Sequence, residues 1–282
     1  MCPEFFHIGP FALRAYGLTL ALSFFIGLVL IAREARRQGV DPERASNFAF
    51  LLIAFGVLGA RIGYVVYHPG EFADHPFNVI NPFASGERFG IAGLNLQGGM
   101  LLAFIAGWIY VRRSRISLPA MLDTVVPAVG FGIFLTRIGC FLNGCCFGVP
   151  ASVPWAVTFP SGSPAYAFLG SAPVHPTQLY SSAYGLVLFL LLFWINGRPH
   201  RVGVTTSVFF MTEAVFRFAI EFVRYYETEM WFQAGPLKMT YNQLIAAGLF
   251  LVGVFFWWNS RRAMLVAAEP GEVPPGTSPE SS

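Results

Sequence analysis

The sequence predicts an all-α integral membrane protein, a bundle of seven transmembrane helices with its N-terminus outside and its C-terminus in the cytoplasm. Three observations predict it. Of the 282 residues, 55% are hydrophobic and only 12% charged, against about 25% charged in a soluble domain. Seven apolar runs approach the roughly 20 residues that cross a hydrocarbon core. Lys and Arg fall unevenly on alternate loops, as in membrane proteins whose basic loops stay inside. So little charge could not cover a soluble surface, which excludes an ordinary cytosolic enzyme and a disordered chain. A net charge of +3 is too small for a nucleic-acid binder.

The runs cover residues 11–32, 48–67, 94–111, 125–142, 177–195, 202–222 and 241–258. The first, with no basic leader and no small-residue cleavage site, reads as a retained span rather than a signal peptide. The fourth is interrupted by Gly130, Gly132, Arg137 and Gly139. Membrane-barrel strands would alternate with period two, and LTLALSFFIGLVLIA does not. Eleven basic residues lie in the first, third and fifth loops and the tail, and four on the other side; the latter is therefore outside. The long second and fourth loops mix aromatics with Pro and Gly, a composition suited to the headgroup layer or to a plain linker. The tail, residues 263–282, is rich in Pro, Ser and Glu and should be a disordered cytoplasmic segment.

Ionisable residues inside spans are costly and are functional candidates by default. Arg61 lies six residues before Tyr67, Arg137 six before Asn143 and Arg217 six before Val223, each roughly 9 Å below the outer end of its helix at 1.5 Å per residue. Tyr16, Gln97, His175, Gln178 and Tyr180 fall on the same side, whereas the inner half offers nothing comparable. Glu213 and Glu221, four residues either side of Arg217, would share its helix face and partly neutralise it. A cation excess remains, and guanidinium binds phosphate through paired hydrogen bonds. An anionic lipid headgroup entering from the outer leaflet fits this layer.

Five motifs then carry a resemblance: RAYGL at residues 14–18, GVLGARIGYVVY at 56–67, TRIGCFLNGCCFG at 136–148, HPTQLY at 175–180 and FRFAIEFVR at 216–224. In this order they resemble the prolipoprotein diacylglyceryl transferase family across most of the chain. The resemblance implies a single seven-helix transferase domain over residues 1–262, in the bacterial cytoplasmic (inner) membrane, with its active site toward the outer leaflet. It implies transfer of the diacylglyceryl group of phosphatidylglycerol to the lipobox cysteine thiol of preprolipoproteins. A thioether forms and glycerol phosphate leaves, with no cofactor and no metal. Its partners would be phosphatidylglycerol in the membrane and the lipobox signal peptides. Arg137 and Arg217 match the family's signature arginines and would bind the phosphate and stabilise the leaving group, with Tyr16 orienting the headgroup. Asn143 and Gly148 match signature positions. Arg61, Glu221 and Arg224 match motif positions that also admit a structural reading.

The chain departs from the family pattern at four positions. Gln97 stands at a catalytic position where many members have His, and an amide is no base; His175 and Glu221 are the alternative base or orienting groups. Cys140 and Cys145 stand where the signature has Asn and an acidic residue, and Ser181 replaces a frequent acid. Cys140, Cys145 and Cys146 have no zinc-pattern spacing; buried thiols, a structural disulfide and redox chemistry are all open. Three function classes follow. A transferase, or a paralogue with another acceptor, rests on the motifs, and a membrane thiol-disulfide oxidoreductase on the cysteines. A transporter would need a polar path through both leaflets. Asp123, just before the fourth run, is expected to cap its own helix.

Overall fold

The computed structural model describes residues 4–8, 11–72, 76–79, 95–114, 116–226, 231–234, 237–261 and 265–266. Seven long helices overlie the seven apolar runs: α1 (Ala15–Arg37), α2 (Pro42–Tyr67), α3 (Leu96–Ser114), α4 (Leu118–Asn143), α6 (Thr177–Asn196), α7 (Val204–Ile220) and α8 (Tyr241–Ser260), with a short α5 (Pro164–Leu169) in the fourth loop. Of these, α1, α2, α4, α6 and α8 are long and apolar enough to cross a membrane. Large apolar side chains such as Phe25, Phe50, Phe104, Leu251 and Phe255 face outward from the bundle, as an integral membrane protein requires.

Three two-stranded antiparallel ladders accompany the helices: β1 (Glu4–Ile8) with β2 (Phe11–Arg14), β3 (His200–Arg201) with β6 (Leu265–Val266), and β4 (Trp231–Ala234) with β5 (Leu237–Thr240). The first shortens the expected opening span, because residues 11–14 pair with the preceding strand and α1 begins only at Ala15. Helix α2 begins six residues before its apolar run, at Pro42, where the Asp41 side chain accepts from the Glu43 amide and Pro needs no partner at the first turn. Leu265 and Val266 are the described part of the predicted tail. The rest of that tail and most of the second loop lie outside the described residues.

Helix α4 is the axis of the bundle, with α1 and α6 packed on either side; α2–α3 and α7–α8 form the outer pairs. The glycines that interrupt its apolar run are what permit this. A Cβ at Gly130 would meet the backbone of Phe189 at 3.0 Å, and one at Gly185 of α6 would meet Phe134 N at 2.6 Å. Gly139 leaves the space that the Thr19 side chain of α1 occupies. Close backbone approach is how helices adhere where lipid supplies no hydrophobic drive, so α4 stays continuous despite Pro127. The Gly98–Gly99 pair after Gln97 works likewise: both glycines press on the backbone of α2 at Gly59, Gly63 and Gly56.

At the end where α1 and α6 terminate lies a buried polar network that contradicts the expectation of an empty inner half. Asp123 does not cap its own helix: its carboxylate accepts from Gly203 N (2.5 Å), Thr206 N (2.7 Å) and Thr206 Oγ1 (2.5 Å), capping α7 instead. The Asn196 amide nitrogen donates to Glu34 Oε2 and the Asp123 carbonyl, Thr205 donates to Asn196 Oδ1, and Arg37 donates to Glu34 Oε1. These residues sit at helix ends and meet only when the helices assemble, so no single run reveals them.

Candidate functional site

The opposite end of the bundle builds a cavity of about 580 Å³ between α1, α2 and α4. Its head is polar, with Tyr16, Arg137, Cys140, Cys146, Arg217 and Arg224. Its walls descend through apolar side chains from Leu20 to Ile31 on α1 and from Ile133 to Val125 on α4. From Tyr16 to Ile31 the lining spans about 22 Å of helix, more than the roughly 15 Å hydrocarbon depth of one leaflet.

Arg137 reaches the cavity from the last turns of α4, and Arg217 from the last turn of α7. Arg224 is placed by a tertiary device. Residues 147–149 lie antiparallel to residues 223–225: Gly148 pairs with Arg224, Val149 N donates to Val223 O (2.9 Å) and Tyr225 N to Phe147 O (3.2 Å). Gly148 is wedged so tightly that a Cβ would lie 2.6 Å from both Val223 O and His175 Cβ. Arg224 and Arg137 are each near enough to Arg217 to act on it electrostatically. Among the described residues none of the three makes an ion pair or a side-chain hydrogen bond.

Neither carboxylate expected to neutralise Arg217 forms an ion pair with it, although Glu213 is near enough to act on it electrostatically. Buried Glu221 accepts from Tyr226 Oη (2.6 Å) and Thr240 Oγ1 (3.0 Å), tying the end of α7 to the start of α8. Tyr226, buried and bonded to Glu221, has its phenol pushed up to about 12, first by burial. Glu213 has one buried carboxylate oxygen with no hydrogen-bond partner, yet no ion pair with Arg217 within 4.0 Å.

Four other expected site residues stand apart from the cavity. Arg61 is buried, donates from Nε to Val79 O (2.7 Å) and lies over the Phe72 ring. Gln97 is exposed at the start of α3. His175 shares a hydrogen bond with Tyr180 Oη (3.1 Å), which also accepts from Trp155 Nε1. Asn143 ends α4 and interacts with Cys145 rather than with the lining.

The long fourth loop folds as a cap rather than a linker. Phe147, Phe159, Ala165 and Val174 form its own buried cluster with Phe141 and Tyr225. Its root is a Schellman turn at the end of α4: Gly144 takes φ 70°, Cys145 N donates to Cys140 O and Gly144 N to Phe141 O. The HPTQLY segment locks that turn from α6, Thr177 Oγ1 donating to Cys146 O and Gln178 Nε2 to Cys145 O, both at 2.8 Å. Thr177 was not among the residues singled out from the sequence, and Gln178 only as part of a polar layer. Cys140, Cys145 and Cys146 are free, and their sulfurs lie within 4.8 Å of one another. The Cys146 thiol is pushed down from its ordinary value, chiefly by Cys140 and Cys145 and further by Arg224 and Arg137, against the effect of burial.

A family model described as prolipoprotein diacylglyceryl transferase matches residues 3–259. Among curated proteins, the phosphatidylglycerol–prolipoprotein diacylglyceryl transferase of Nitratidesulfovibrio vulgaris is 34% identical over 261 residues, which are 91% of this chain and 92% of that protein. The protein of the same name from Geobacter sulfurreducens is 33% identical over 89% of this chain and 92% of its own length. That from Vibrio cholerae is 32% identical over 93% of both.

Proposed function

The chain belongs to the prolipoprotein diacylglyceryl transferase family, and on that premise we propose that the arginine-headed cavity is its phosphatidylglycerol site. The protein is a multi-pass membrane enzyme, a phosphatidylglycerol–prolipoprotein diacylglyceryl transferase. The observation that carries the site is the conjunction of three guanidiniums that make no ion pair among the described residues with a long apolar wall below them. Unpaired buried cations are costly, and a phosphodiester supplies the missing anion while its acyl chains lie along α1 and α4.

In this reading seven helices span the bacterial cytoplasmic membrane with the N-terminus outside, so that the cavity head meets the outer leaflet. The acceptor is the thiol of a lipobox cysteine in a preprolipoprotein. Its sulfur attacks the glyceryl carbon bonded to the phosphate oxygen; the C–S bond forms as the C–O bond breaks. The electron pair leaves with glycerol phosphate, whose growing charge Arg137, Arg217 and Arg224 offset. Tyr16, at the cavity rim, orients the headgroup. Gly148 acts by seating Arg224, Asn143 by holding the turn, and Arg61 by anchoring the segment after α2. Glu221 and His175 are positioning groups: both Glu221 oxygens and His175 Nδ1 are engaged by Tyr226, Thr240 and Tyr180, and neither residue lines the cavity. Gln97 takes no part in the reaction.

Mass spectrometry of a lipobox peptide incubated with purified protein and phosphatidylglycerol tests this. A diacylglyceryl increment on the cysteine with release of glycerol phosphate is expected. No increment from folded protein would overturn the assignment.

A further inference from the structure

The three guanidiniums answer the phosphate, but the attacking thiol must also lose a proton, since the thiolate is the nucleophile. Gln97 is an amide and no base. Both Glu221 oxygens are engaged by Tyr226 and Thr240, and His175 Nδ1 is bonded to Tyr180. Glu213 differs from these groups: its Oε2 is buried and accepts from no donor among the described residues.

Three helices set its surroundings. On α7 it stands four residues before Arg217, one turn or about 6 Å farther from the helix end. From α6, the Tyr184 ring lies flat against Phe216 of α7, with centroids 3.9 Å apart and an interplanar angle of 1°. Tyr184 and Glu213 are near enough to act on each other, and Tyr184 Oη is likewise buried without a hydrogen-bond partner. From α4, Arg137 acts on the same carboxylate, as does Arg217. Gly185, next to Tyr184, lets α6 press on α4, where a Cβ would meet Phe134 N at 2.6 Å. Among the described residues α8, also packed against α7, brings no charged group to act on Glu213. Buried oxygens left without partners are costly. Here two of them stand beside two guanidiniums, the polar partners that one ordered water needs. Glu213 is not in the cavity lining, whereas Arg137 and Arg217 are, so a water at that place would join the carboxylate to the cavity head.

We propose that Glu213 is the proton acceptor for the lipobox thiol, taking the proton over one water that Tyr184 also holds. This rests on the transferase reading and deepens it. A base one water away from the proton it removes is within working reach. The sulfur's electron pair forms the C–S bond as the C–O pair leaves with the phosphate. The thiol proton passes through the water to Glu213 and from there to the departing glycerol phosphate, whose new monoester oxygen takes it up. Glu213 ends as the carboxylate it began as, and no co-reactant is consumed. The chain thereby gains the deprotonation that the Gln97 amide and the engaged Glu221 carboxylate do not supply.

Steady-state transfer from phosphatidylglycerol to a lipobox peptide, measured on the whole protein across pH, tests this. In wild type, kcat should rise with pH and level off once Glu213 has lost its proton, since only the carboxylate can accept one. Glu213→Gln should lower kcat by about 10²-fold or more and erase that rise. Only the alkaline rise of the peptide thiol itself, near its ordinary value of about 8.5, should remain. The KM for phosphatidylglycerol should stay within about threefold of wild type. Added formate, a carboxylate small enough for the space left by Glu213→Ala, should speed that variant at least about tenfold and leave wild type unchanged. Rescue keeps the test decisive where a variant is less stable, because only folded protein can be rescued. A near-wild-type kcat in Glu213→Gln, a lowered kcat that keeps the pH rise, or no rescue by formate would each overturn the proposal. So would a loss confined to KM, which would make Glu213 a support for Arg217. Each of these would leave the transferase reading standing, whereas folded wild-type protein that yields no diacylglyceryl product would overturn that reading itself.

Discussion

At the end of the bundle where α1 and α6 finish, buried polar groups hold one another. Asp123 takes three hydrogen bonds from the start of α7, and Asn196 bridges Glu34, Asp123 and Thr205. At the other end Arg137, Arg217 and Arg224 gather round a cavity, and among the described residues no carboxylate forms an ion pair with them. Both ends place polar groups inside an apolar bundle, at similar cost. A closed network gives that cost back as fixed helix geometry. An open one leaves it to be offset by a ligand, so the difference separates scaffold from site.

The sharpest way to break the comparison is to remove a cation from the open end. Arg137→Ala should lower diacylglyceryl transfer by about 10²–10³-fold without lowering the unfolding temperature, since it severs no ion pair. A similar rate in the variant would remove Arg137 from the mechanism. Asp123→Ala should do the reverse. Uncapping α7 and orphaning three buried donors should cost about 3 kcal/mol of stability, seen as earlier thermal unfolding in detergent. Transfer per folded molecule should stay near wild type.

Two smaller effects sharpen the boundary of the site. Gly148→Ala would press a methyl group on Val223 O and His175, displacing Arg224, and transfer should fall about tenfold, a barrier change of about 1.4 kcal/mol. An unchanged rate would mean that Arg224 does not act on the phosphate. Gln97→Ala, at an exposed position outside the cavity, should change the rate by less than about threefold. A larger loss would return Gln97 to the reaction.

The sequence revealed depth but not direction around each helix. Counting along the runs puts Arg61, Arg137 and Arg217 at one level, and the last two do meet at the cavity. Arg61 shares their depth yet points elsewhere, toward the Val79 carbonyl and Phe72; which way a residue faces depends on the partner helix, which the run does not specify. Arg224 was readable as a motif residue, but its place depends on the pairing with Gly148, 76 positions earlier in the chain. Asp123 looked like a local cap because capping patterns are local, whereas the amides it serves lie across a helix–helix contact. The cysteines were legible as a group from their positions, but not how closely a left-handed turn draws their sulfurs together.

The central claim is that the open end is an anionic lipid site, and the lipid itself can be counted. Wild-type protein, the Asp123→Ala variant and the Arg137→Ala/Arg217→Ala double variant would be purified from the same membranes, and the retained lipid identified by native mass spectrometry. The account predicts phosphatidylglycerol bound to the first two and reduced at least about tenfold in the double variant. Equal phosphatidylglycerol on all three would contradict it.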